Sequence, residues 1–97
     1  MGAYNSDMPT IRFPAAMKYY TEDRAEVDVT ASTVREAVEA VAQRYPKLRP
    51  HVFDAQGQIR RHFNVFVNGE HIRTLNGQET ALKEGDKVIL MATSAGG

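Results

Sequence analysis

The chain has 97 residues, no cysteine and a formal net charge of zero. This length fits a single domain, and the absence of cysteine excludes disulfides, thiolate metal sites and cysteine nucleophiles from the sequence. The balanced charge argues against nucleic-acid binding by phosphate neutralisation and gives no support for electrostatic membrane binding. No apolar run is long enough to span a bilayer, and the first residues lack the features of a secretion signal. We therefore expect a cytoplasmic protein.

The first part of the chain predicts two short strands joined by a turn or wide loop. Residues 10–13 alternate apolar and polar side chains until Pro14, which removes a hydrogen-bond donor from a strand. Residues 15–24 show no regular pattern. Residues 25–30 alternate again, with the apolar side chains on one face, so we predict a hairpin of the two strands.

The main helix is predicted over residues 33–45. Thr33 is a suitable N-cap, and Glu36 follows three residues later, as in a capping box. Apolar residues then recur at the spacing of one helical face as far as Tyr45. Pro46 ends the helix, because the residue before a proline is pushed out of helical geometry.

The second half predicts an irregular, polar segment over residues 47–61, from which Val52 and Phe53 reach the core. A strong strand follows at residues 63–67. It runs into the Asn-Gly pair at residues 68 and 69, a dipeptide that favours the type I′ hairpin turn.

A short return strand over residues 71–73 and a last strand over residues 87–91 complete the predicted elements. The order predicts an α+β fold of the β-grasp, or ubiquitin-like, type, with one helix on a mixed sheet of four to five strands. In that fold the first and last strands pair as central neighbours. We assign residues 9–92 to the domain, residues 1–8 to a flexible lead-in and residues 93–97 to a flexible tail.

The predicted last strand carries apolar residues on both of its faces. One helix covers only one face of a sheet, so we place Val88 and Leu90 inside and Ile89 and Met91 outside. An exposed apolar patch usually marks a partner surface. The predicted partner-binding patch consists of Phe66, Leu75, Ile89 and Met91. Alternatively, the segment of residues 47–61 folds over this patch and buries it.

The chain ends in five small residues, Thr93, Ser94, Ala95, Gly96 and Gly97. Two terminal glycines have no Cβ atoms, so the backbone can enter a narrow channel in another protein. The free carboxylate of Gly97 is a poor electrophile until an enzyme activates it, for example as an acyl-adenylate made from ATP. The simpler alternative is a frayed terminus with no chemical role.

Three motifs in the last third occur in the order found in one known family. They are the Val-Asn-Gly hairpin at residues 67–69, the Leu-x-x-Gly-Asp turn at residues 82–86 and the Ala-Gly-Gly end at residues 95–97. On these motifs the chain resembles the MoaD/ThiS family of ubiquitin-like sulfur carriers. It is most similar to the longer MoaD-like and CysO-type members, although the segment of residues 91–94 lacks the proline of many MoaD-type members.

The resemblance implies a specific chemistry for the tail. Gly97, with Gly96, would enter an ATP-dependent adenylyltransferase and sulfurtransferase of the ubiquitin-activating type and leave as a thiocarboxylate. The sulfur would pass to a biosynthetic enzyme. The carrier itself would bind no cofactor, and ATP would be used by the activating enzyme. Met91, Leu75 and Ala95 would contact these partners.

Other signals indicate no catalytic or metal site within the chain. His51, His62 and His71 share no ligand spacing and are interpreted as solvated or loop residues. The chain is therefore predicted to be a protein co-substrate and not an enzyme. Two alternatives remain: a ubiquitin-like modifier joined to lysines through Gly97, and a β-grasp binding domain with an inert tail.

Overall fold

The computed structural model describes residues 8–92, which form one five-stranded sheet covered on one face. The strands are β1 (Thr10–Arg12), β2 (Glu26–Asp28), β3 (Phe63–Val67), β4 (Glu70–His71) and β5 (Lys87–Ala92). Their order across the sheet is β2-β1-β5-β3-β4. β1 and β5 are parallel, and every other neighbouring pair is antiparallel. This arrangement confirms the predicted β-grasp fold, with the first and last strands side by side in the middle.

The main helix, α1 (Val34–Arg44), begins and ends as predicted. The Thr33 hydroxyl accepts the backbone N–H of Glu36 at 3.1 Å, which satisfies a donor that has no partner within the helix. The Glu36 carboxylate accepts the N–H of Ser32 at 2.9 Å, one residue before the N-cap. Tyr45, directly before Pro46, has left helical geometry at φ −127° and ψ 80°.

The core lies between α1 and the inner face of the sheet. The helix buries Val34, Ala37, Val38, Val41 and Ala42. The sheet contributes residues that alternate along the strands: Ile11, Val27, Phe63, Val65, Val67, Val88 and Leu90. Each such side chain stabilises the fold by about 1.5–3 kcal/mol relative to an exposed position. The predicted inward side of β5 is confirmed.

The segment after α1 is more regular than we predicted. A 3-10 turn at Pro46–Leu48 leads directly into the short helix α2 (Arg49–Val52). The prediction of an irregular segment was wrong for residues 47–52, because Pro50 lies in the first turn of α2, where the N–H that proline lacks has no intrahelical partner. The prediction that Val52 and Phe53 reach the core is confirmed.

The hairpin between β3 and β4 turns at Asn68 and Gly69, whose φ angles of 51° and 87° are those of the predicted type I′ turn. β4 is shorter than the predicted return strand, because the chain enters a 3-10 turn at Ile72–Thr74. His71 directs this change: its Nδ1 accepts the Arg73 N–H at 3.0 Å. Such side-chain bonds to the backbone compete with the strand ladder.

No helix within residues 8–92 has the length and apolarity that a membrane crossing requires.

Candidate functional site

One row of side chains crosses the outer face of the sheet through all five strands. The strand register pairs Arg12 with Glu26 and with Ile89, Ile89 with Phe66, and Phe66 with His71. Arg12 Nη1 lies 3.9 Å from Glu26 Oε2. The row therefore has an apolar centre on β5 and β3, an ion pair on one side and a histidine on the other.

Met91 extends this apolar centre toward the end of β5. It pairs with Asn64 on β3, and 52% of its surface is exposed. Phe66 and Ile89 are half-buried. We name Phe66, Ile89 and Met91 the outer patch. The alternative, in which residues 47–61 bury this face, is wrong for Met91, because Val52 and Phe53 carry that segment into the core instead.

Leu75 stands apart from the outer patch in the strand register. It follows the 3-10 turn at Ile72–Thr74, outside any strand, and 40% of its surface is exposed. The structure therefore places Leu75 on the surface but does not pair it with Phe66, Ile89 or Met91. Its role in partner binding stays a prediction.

His71 is a part of the outer face that the sequence did not reveal. Its ring meets the Phe66 ring edge-on, with the centroids 5.1 Å apart, and its Nε2 lies 3.0 Å from Asn64 Oδ1. Because Nδ1 accepts the Arg73 N–H, Nε2 carries the proton and donates to Asn64. The interpretation of His71 as a solvated or loop residue was wrong, because His71 lies in β4, is half-buried and makes a hydrogen bond at each ring nitrogen. It supports Phe66 through a cross-strand contact that depends on strand register.

The described part of the chain ends on β5, in the middle of the sheet. Ala92, the last described residue, pairs with Phe63 at the end of β5. A groove of about 450 Å³ opens there and is lined by Arg12, Pro14, Met91 and Ala92, among others. The predicted site residues Ala95, Gly96 and Gly97 lie outside the described residues. The exposed Met91 side chain is thus one residue from the last described position of the chain.

The outer patch can bind an apolar surface but offers no reactive group of its own. Within residues 8–92, no group of three or more histidine and carboxylate side chains could hold a metal ion. The pKa of Glu39 is lowered, first by its hydrogen bonds from Arg49, but this pair joins α1 to α2 and is not on the outer face.

Comparison with known proteins identifies relatives along nearly the whole chain. A model of the ThiS family matches residues 11–97. The chain is 26% identical to the sulfur carrier protein CysO of Mycobacterium tuberculosis over 90 residues, which cover 91% of this chain and 97% of CysO. It is 34% identical to small archaeal modifier protein 3 of Haloferax volcanii over 74 residues, which cover 76% of each protein.

A solved structure supports the same relationship. The chain superposes on a chain of the Amycolatopsis orientalis BexX/CysO complex with a TM-score of 0.82 and 27% identity. The superposition covers 92% of this chain and 99% of the matched chain. Carriers and modifiers are thus both among the similar proteins.

Proposed function

Because the chain belongs to the ThiS family, we propose that its C-terminal Gly97 carries sulfur as a thiocarboxylate. The chain is a sulfur carrier protein of the ThiS/CysO type and not an enzyme. Its activation requires a ubiquitin-activating-type enzyme that uses ATP. The loaded carrier then donates sulfur to a biosynthetic enzyme that forms cysteine, molybdopterin, thiamin or another sulfur-containing metabolite.

The chemistry proceeds in two balanced steps. A carboxylate oxygen of Gly97 attacks the α-phosphorus of ATP, so pyrophosphate leaves and an acyl-adenylate forms. A sulfur nucleophile at the oxidation level of sulfide, supplied by the partner, then attacks the carbonyl carbon, and AMP leaves. The net change is one oxygen exchanged for sulfur, with no oxidation or reduction. The carrier supplies the carboxylate, and the partner supplies the stabilisation of developing charge.

The observation that carries the proposal is the continuity between the outer patch and the tail. Ile89 and Met91 of the outer patch lie on β5, which is held between β1 and β3 and ends at Ala92. Residues 93–97 follow directly in the sequence. A partner that covers Met91 is therefore positioned at the start of residues 93–97. Terminal glycines would let the carboxylate enter a narrow active site. The structure of CysO in complex with BexX supports the assembly of such a carrier with a second protein.

A second function is favoured by the 34% identity to an archaeal modifier protein. The same adenylate can be attacked by a lysine amine, which would join Gly97 to another protein by an isopeptide bond. A third possibility, a β-grasp binding domain with an inert tail, needs no activation. The three functions differ in what becomes of the terminal carboxylate.

Intact-mass spectrometry of the protein from its native host tests these functions. The proposal predicts a species heavier by one oxygen-to-sulfur exchange, located on the C-terminal peptide. Conjugates of higher mass with Gly97 linked to lysine would instead support the modifier. An unaltered carboxylate in every growth condition, together with full activity after removal of Gly96 and Gly97, would support the inert-tail domain.

Two tail variants sharpen the test with the isolated activating enzyme. Deletion of Gly97, or addition of one residue after it, should abolish pyrophosphate release and sulfur loading. Thermal unfolding should stay at the wild-type temperature, because the core lies within residues 8–92. Sulfur loading of the deletion variant would contradict the assignment of Gly97.

A further inference from the structure

A second groove, of about 540 Å³, lies beside β3 at the β4 side of the sheet. Residues 58–61 form one wall, and residues 71–73 with residues 77 and 78 form the other. Three arginines line it, Arg60, Arg61 and Arg73, together with the half-buried Ile59 and Ile72. We name this feature the basic groove.

The charge of the basic groove is not balanced by its own lining. No aspartate or glutamate is among the described residues that line it. Its sequence neighbours Glu70 and Glu79 lie outside the lining. Within residues 8–92 the ion pairs are Arg12 with Glu26 and Arg49 with Glu39, so no groove arginine has a carboxylate partner. This is a local excess of positive charge on a chain of zero net charge.

The wall that contains Arg60 and Ile59 is fixed by hydrogen bonds. The Arg60 N–H donates to Val52 O at 2.7 Å, and its Nε donates to Pro50 O at 2.9 Å. The Ile59 N–H donates to Gln78 Oε1 at 2.7 Å, which ties the two walls together. A ligand therefore meets a formed groove and loses less entropy on binding.

The basic groove is close to the root of the tail along the chain and across the sheet. Arg61 is two residues before Phe63, which pairs with Ala92. β4 pairs only with Phe66 and Val67, so the first residues of β3 have a strand neighbour on the β5 side alone. A protein that holds the tail can thus also reach the groove from this incomplete edge.

We propose that the basic groove binds an acidic segment of the activating enzyme. Carboxylates of the segment pair with Arg61 and Arg73, whose guanidinium groups can hold a carboxylate through two hydrogen bonds. An apolar side chain between the carboxylates rests on Ile59 and Ile72. This inference rests on the proposed function, because it assigns a second contact to the partner that activates Gly97.

A titration with peptides tests the chemistry of the groove without the enzyme. The labelled full chain receives a capped peptide of alternating glutamate and leucine, and backbone amide shifts are followed by NMR at low salt. We expect shifts centred on residues 58–61 and 71–73 that are lost in the Arg61→Glu/Arg73→Glu variant. A peptide with glutamine for glutamate should cause none. No shifts with the acidic peptide would overturn the proposal.

Two other results of the same titration would also overturn it. Equal or stronger shifts with inorganic phosphate would assign the groove to a free anion. Shifts that depend on the protein's own concentration would assign it to a second copy, whose acidic edge at β2 carries Glu26 and Asp28.

Binding to the activating enzyme tests the identity of the partner. The Arg61→Glu/Arg73→Glu variant should bind about tenfold more weakly at low salt, because attraction becomes repulsion at two positions. The difference should shrink as salt screens the charges. The matched control is Lys47→Glu/Lys83→Glu, which changes net charge equally at exposed residues outside the groove lining. It should bind like the wild type.

The outcomes separate this inference from the proposed function. If the wild type is loaded with sulfur and the groove variant binds equally well, the inference fails and the function stands. If the wild type is never loaded, the function fails, and the peptide titration alone still decides what the groove binds. Thermal unfolding of both double variants at the wild-type temperature shows that each is folded.

Discussion

The two faces of β5 carry similar apolar side chains that differ in burial. On the inner face, Val88 and Leu90 are 0% and 1% exposed beneath the helix layer. On the outer face, Ile89 is half-buried and Met91 is 52% exposed. All four are apolar, so composition does not distinguish them. Alternation along the strand places one pair in the core and the other on the outer face, where the proposed partner would bind.

This difference shows how a small domain can serve as a carrier. The buried core lies on the inner face of the sheet, whereas Met91 on the outer face is exposed. If the outer patch binds a partner as proposed, the exposed Met91 should contribute more to recognition than to folding. The comparison predicts opposite effects for neighbouring substitutions.

The largest effect on stability is expected for Leu90→Ala. Removing a fully buried leucine side chain should lower the free energy of unfolding by about 2–5 kcal/mol, because a cavity remains under α1. Ile89→Ala is the control on the opposite face, and it should lower the free energy of unfolding by clearly less. Urea denaturation of both variants gives the two values. Equal decreases in the free energy of unfolding would contradict the proposed difference between the two faces.

The outer face is tested by Met91→Glu. We expect affinity for the activating enzyme to fall at least about tenfold, which corresponds to about 1.4 kcal/mol. The free energy of unfolding should change by no more than about 0.5 kcal/mol, because Met91 is exposed. Met91→Leu should keep both properties. Wild-type affinity in the glutamate variant, measured by calorimetry, would remove the outer patch as a binding surface.

Thr33→Ala weakens the N-terminus of α1, which covers the inner face, and changes no residue of the sheet. It removes the hydroxyl that accepts the Glu36 N–H at 3.1 Å, so the free energy of unfolding should fall by about 1 kcal/mol. Affinity for the activating enzyme should not change. Ser32→Ala is the matched control, since Ser32 contributes its backbone N–H and keeps it in alanine. A thermal unfolding series compares the two.

The smallest effect is expected at the ion pair between α1 and α2. Hydrogen bonds from Arg49 hold the pKa of Glu39 below its ordinary value of 4.5. A depressed folded-state pKa stabilises the protein above the unfolded-state pKa, and this stability is lost as pH falls through the folded-state value. The pair is partly exposed, so Glu39→Gln should cost at most about 0.5 kcal/mol at neutral pH.

Chemical unfolding from neutral to acidic pH measures this contribution. The gap between wild type and Glu39→Gln should be present at neutral pH and close below about pH 4.5 as Glu39 becomes protonated. High salt at neutral pH should narrow it as well. A gap that persists in acid would show that the variant acts through packing and not through charge.

Patterns that repeat along the chain predicted most of the fold. The period of the helix, the Thr33 cap and the alternation of β3 are local signals, and each was confirmed. The Asn-Gly turn follows from residues that tolerate positive φ. Few topologies are compatible with these elements. The placement of β1 beside β5 was therefore also predicted, and it was confirmed.

The features that the sequence did not reveal depend on contacts between distant residues. His71 meets Asn64 and Phe66 only after the β3–β4 register is set. Arg73 joins Arg60 and Arg61 at one groove only because the chain leaves β4 early at the 3-10 turn. The short helix α2 was not predicted, because its proline is as compatible with a loop as with the first turn of a helix.

The central position of β5 has a mechanical consequence. A machine that grips the chain beyond residue 92 and pulls would load β5 along its length, against hydrogen bonds to β1 on one side and to β3 on the other. Under a force along the strand, the hydrogen bonds on both sides of β5 must break together. The hydrogen bonds of an edge strand that is pulled sideways can break one at a time. The domain can therefore stay folded while a force acts on the chain beyond β5.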